Sequence, residues 1–79
     1  MDHRNQGYES AQRTCRDMDD KGLAEFLEII ARMVVRGRIE NQPAFIQGFA
    51  FGQLEGVLEI MENRRQHFMY HTAAEAVTS

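Results

Sequence analysis

Three side chains near the end of the chain have the spacing of metal ligands. His67, His71 and Glu75 recur every fourth residue, so on a helix they share one face. Two imidazoles set this way can hold a zinc ion, with the carboxylate as third ligand. The zinc-protease pattern, however, needs glutamate directly after the first histidine, and Phe68 stands there. The plainer reading is a solvated face, with histidines complementing the negative end of a helix. No metal or other cofactor is expected. Cys15, the single cysteine, has no base fixed beside it in sequence and reads as a small buried hydrophobe rather than a nucleophile. An enzyme is not expected.

The charged residues suggest binding instead. Arg32, Arg36 and Arg38 form one basic cluster, and Arg64 with Arg65 another. Guanidinium groups suit phosphates, so the first cluster could hold a nucleotide at a subunit seam. Against them stand Asp17, Asp19 and Asp20, and Glu55, Glu59 and Glu62. This acidic strip could dock a basic patch on a larger protein. A net charge of −3 disfavours general nucleic-acid binding. The apolar character of the second helix also excludes it as a recognition helix.

The element that must position these groups is the stretch 43–62. Phe45, Ile46, Phe49, Ala50, Phe51, Leu54, Val57, Leu58, Ile60 and Met61 fall within about five helical turns. Their arc spans roughly 240°, whereas one neighbour needs a stripe little wider than about 100°. The helix must touch at least two neighbours. Through it runs a ladder of small residues, Ala44, Gly48, Gly52 and Gly56. The three glycines cost about 3 kcal/mol of helix propensity, which close approach of another helix would offset. Gln47, Gln53, Glu55 and Glu59 interrupt the run, so it does not read as a membrane span.

Upstream, Leu23, Phe26, Leu27, Ile30, Met33 and Val34 give a second apolar face, widened by Ile29 and Val35. Early glutamates and late arginines complement the dipole of this helix. Gly37 reads as its C-cap, in a left-handed backbone. The short connection to Pro43 implies antiparallel neighbours. Tyr8, Ala11, Cys15 and Met18 suggest a further amphipathic helix. It either breaks near 19–22, capped by Asp19 or Asp20, or runs on through Gly22. Residues 1–7 are polar and expected to be disordered, as are 78–79, and no secretory signal is read in Met1 to Ser10.

The expected fold is all-α: a single domain built on an antiparallel hairpin, about 20–37 and 43–62, with flanking helical segments. A hairpin this small leaves apolar surface wet, so a homodimeric four-helix bundle is expected. Phe45, Gly48, Phe49, Gly52, Gly56 and Val57 would line its seam. The expected function is that of a non-enzymatic cytoplasmic interaction module, an adaptor or inhibitor that binds a larger protein. In general look the chain is similar to small phage or plasmid accessory proteins, including inhibitors of bacterial defence. The alternative is an oligomeric nucleotide binder using Arg32, Arg36 or Arg38.

Overall fold

The computed structural model describes the backbone of residues 2–78 and the side chains of residues 2–67. Three helices make up the described chain: α1 (His3–Cys15), α2 (Asp20–Ile39) and α3 (Ala44–Thr78). Among the described residues there is no strand. α1 and α2 both lie on α3 and barely touch each other. α3 thus has two neighbours within one chain.

Each boundary has a local cause. The Asp2 carboxylate accepts from the Arg4 amide at 3.0 Å and starts α1 at His3, well before Tyr8. Residues 3–7, read from their polarity as disordered, are therefore helical. The break between α1 and α2 occupies residues 16–19. Asp19 caps α2 by accepting from the Gly22 amide at 2.7 Å.

The end of α2 differs from expectation. Gly37 stays helical and buried, and no glycine among the described residues has positive φ. Asn41 takes the left-handed position instead, at φ 53°. The Gln42 amide donates to the Gly37 carbonyl at 2.9 Å and the Asn41 amide to the Arg38 carbonyl at 3.2 Å. This is the paired bonding of a Schellman cap, with asparagine in the place more often held by glycine. A Cβ on Gly37 would stand 3.1 Å from Gln42 Oε1, the end of a flexible side chain that can move aside. α3 then opens on the Pro43 carbonyl, which accepts from the amides of Ile46 and Gln47.

Direction follows from the residues that meet. Arg4 lies at Gly52, Tyr8 at Gly56 and Arg16 at Arg64, so α1 runs parallel to α3. Asp20 meets Arg64 while Gly37 meets Gln47, so α2 runs antiparallel. The core lies between them: Ala11 and Cys15 of α1, Leu23 and Ile30 of α2, and Val57 of α3. α3 continues past Arg64 to Thr78, well beyond the 43–62 stretch read from the apolar pattern. At 35 residues it accounts for the 55 Å long axis of the molecule.

Candidate functional site

The glycine ladder of α3 holds α1 of the same chain. Among these residues Gly52 and Gly56 are buried and Gly48 partly so. A Cβ on Gly52 would strike the Arg4 carbonyl oxygen and stand 2.8 Å from its carbon and 2.9 Å from the Tyr8 amide nitrogen. A Cβ on Gly7 would strike the Phe49 carbonyl oxygen and stand 3.0 Å from the Gln53 nitrogen. The two backbones therefore touch directly, and only glycine fits at either point. The hydrogen each glycine carries in place of Cβ is aimed at a carbonyl of the other helix, the geometry of a Cα–H···O contact. Gly56 receives Ala11, with Cβ positions 2.8 Å apart.

Polar side chains fasten this seam. Gln12 Nε2 donates to the Gly56 carbonyl at 3.0 Å. Arg4 engages Glu55 through two guanidinium nitrogens, one of them at 2.8 Å, and its guanidinium carbon lies 4.9 Å from the centre of the Phe51 ring. The Tyr8 hydroxyl donates to Glu59. The Arg4 hydrogen bond, and then its charge, hold the Glu55 carboxyl below the usual glutamate range. Donation to Glu59, reinforced by burial, raises the Tyr8 hydroxyl above its ordinary value. Glu55 and Glu59, read in the sequence as part of a surface strip, thus clamp α1. The remaining acids are scattered: Asp19 caps α2, Asp20 pairs with Arg64 at 3.1 Å, and Glu62 accepts from Gln66 at 3.2 Å.

The arginine cluster is also divided. Arg32 pairs with Glu28, and Arg36 with Glu40 at 3.5 Å, both along α2. Arg38 is exposed two residues beyond Arg36, well round the helix from it. Arg64 reaches the Arg16 carbonyl at 3.3 Å as well as Asp20, so its angle on α3 faces the α1–α2 turn. His67 is exposed on α3, while the side chains of His71 and Glu75 lie outside the described residues. Among the described residues no three histidines, cysteines or acids gather as metal ligands. Cys15 is buried, and burial raises its thiol above the ordinary range, partly opposed by the Arg64 charge.

What remains open to solvent is apolar. Met33, read as part of the buried face, is 47% exposed, and with it Ile29, Val35 and Ile39 stand out from α2. α2 faces the core through Leu23, Ile30 and Gly37, with Phe26, Leu27 and Val34 partly buried beside them, and its outer flank stays uncovered. On α3, Phe45, Ile46, Phe51 and Leu58 are exposed too. Of the residues read as a subunit seam, Gly52, Gly56 and Val57 are buried inside the chain, Phe49 partly so, and Phe45 lies open beside the His3 ring, 5.8 Å away. No helix among the described residues is long and apolar enough to cross a membrane. No protein-family model, curated protein or solved structure matches the chain.

Proposed function

We propose that this chain is a non-enzymatic helical interaction protein of the cytoplasm, an adaptor or inhibitor that self-associates and works by occupying the surface of a larger protein. The observation that carries this reading is the outer side of α2. Ile29 is 56% exposed, Val35 57% and Ile39 79%, on a helix whose capping is otherwise complete. Large apolar groups left in water by a fold that has met its other requirements mark contact surfaces. Two charge pairs among them are matched within α2, Glu28 with Arg32 and Arg36 with Glu40, while Glu25, one turn before Ile29, is exposed without an ion pair. Small accessory proteins of phages and plasmids, inhibitors of bacterial defence among them, are the class such a module would join.

The test compares the wild-type chain with Met33→Glu/Ile39→Glu as immobilised bait. A protein retained by the first and lost by the second is identified, purified and mixed with the free chain. A defined complex that the double variant fails to form, while melting like the wild type, supports the reading. Equal binding by both variants removes α2 from it.

A further inference from the structure

We propose that a second copy of this chain takes part by exchanging α1: the α1–α2 turn opens, residues 3–39 become one helix, and α1 seats on the glycine ladder of the partner copy's α3. The inference rests on the self-association in the reading above.

Three observations lead to it. The first is length. α1 and α2 both cover the part of α3 before Arg64, and α3 runs on through Thr78, a stretch about as long as α1. Straightened, residues 3–39 nearly equal the length of α3, and the chain becomes an even hairpin. Two such hairpins, related by a two-fold axis at the level of Asp20 and Arg64, place each α1 parallel to the other copy's α3. Parallel is the direction α1 takes within one chain. Each projecting α3 end gains neighbours in the same step, and a four-helix bundle results.

The second observation is the turn itself. It spans only 16–19, and Arg16 is already helical at φ −52°, ψ −42°. Asp19, at φ −75°, ψ 173°, is the extended residue that separates the helices. The series of buried Ala11 and Cys15 and partly buried Met18 and Gly22 keeps helical spacing across the gap, so a continuous helix presents one face throughout. The third is conservation of contacts. The exchanged α1 meets the same Gly52, Gly56, Glu55 and Glu59, so opening sacrifices none of the seam; what it gives up is the Asp19 cap and the bonds of the turn, from the Met18 amide to Cys15 and from Arg64 to the Arg16 carbonyl. Exchange of an identical element is a low-cost route to a dimer.

A disulfide reads the exchange directly. A Cβ on Gly48 would lie 3.8 Å from His3 Cβ, the mean separation across a disulfide. In a Cys15→Ala background, His3→Cys/Gly48→Cys is oxidised and run without reductant beside mass measurement by light scattering. The expected result is a doubled mass and a covalent dimer. Asp20→Pro suits the first position of α2 and the extended Asp19, but breaks a continuous helix. It should return both readouts to the single chain while melting remains cooperative. A doubled mass with only intrachain disulfide overturns the exchange and leaves self-association standing. A single-chain mass at every concentration overturns both. Interchain trapping that survives Asp20→Pro overturns the continuous helix.

Discussion

Gly48 and Gly52 sit one turn apart on the same ladder, yet alanine should act on them with opposite sign. Helix propensity favours alanine over glycine by about 1 kcal/mol at either position. At Gly48 the new methyl meets His3 Cβ at 3.8 Å and the Arg4 nitrogen at 3.9 Å, which is ordinary contact. Gly48→Ala should therefore stabilise the fold by about 1 kcal/mol, which raises Tm by roughly 4–8 °C in a domain of this size. At Gly52 the methyl meets the Arg4 carbonyl group and the Tyr8 nitrogen, 2.8 and 2.9 Å from the nearest carbon and nitrogen. These are backbone atoms of α1 and cannot rotate away, so the helix must lift. Overpacking costs about 1–3 kcal/mol, here near the upper end, and outweighs the propensity gain by about 2 kcal/mol. Gly52→Ala should lower Tm by roughly 8–16 °C. Circular dichroism melts of the two variants at equal concentration decide the matter. If both rise together, propensity alone governs and the direct backbone contact between α1 and α3 is wrong.

Cys15, buried on α1, should react slowly with a thiol reagent in the native protein, and several-fold faster in Gly52→Ala, where α1 is lifted. Stability should fall as the pH drops below the ordinary glutamate range. Glu55 has a depressed folded value, so its contribution is present above the unfolded value and lost as the carboxyl protonates; Glu55→Gln should flatten the acid limb of a pH–stability profile. Tyr8 has a raised folded value, so its contribution holds below the unfolded value and is lost as pH climbs; Tyr8→Phe should remove that alkaline loss. Ile39→Ser, at a side chain 79% exposed, should leave urea stability within about 0.5 kcal/mol of wild type.

The hairpin of α2 on α3 was legible because large apolar residues at helical spacing report a buried face, as Leu23, Ile30 and Val57 do. The two neighbours expected of α3 are present, but only α2 lies on the wide apolar arc from which they were read. The glycine ladder called for close approach of a helix, but that this helix is α1 was not legible. Its side of α3 carries Gly48, Gly52, Glu55 and Glu59, a sector that hydropathy reads as water-facing. A glycine contact buries backbone, which leaves no apolar side chain to count. Its polar rim looks like any charged surface until Arg4 and Tyr8 are found opposite it. Gly7 held the missing signal: a glycine within an otherwise helical stretch, as costly there as the ladder is in α3. Met33 failed in the other direction. Its spacing fits the buried face, but α2 has a single neighbour, too narrow to reach it.

These two failures bear on function together. Small residues drew α1 onto the side of α3 that hydropathy leaves bare, and α2 took another part of the apolar arc. Beyond the core it shares through Ala11 and Cys15, α1 covers little of α2, and the surplus apolar surface gathers on the outer flank of α2 and along Phe45, Ile46, Phe51 and Leu58. α1 enters the shared core with only two apolar side chains, Ala11 and Cys15, and so leaves most of α2 uncovered. The chain thus commits its first helix to a seam fixed by backbone shape and by Glu55 and Glu59. Ile29, Met33, Val35 and Ile39 remain in water, which is the arrangement the proposed interaction protein requires.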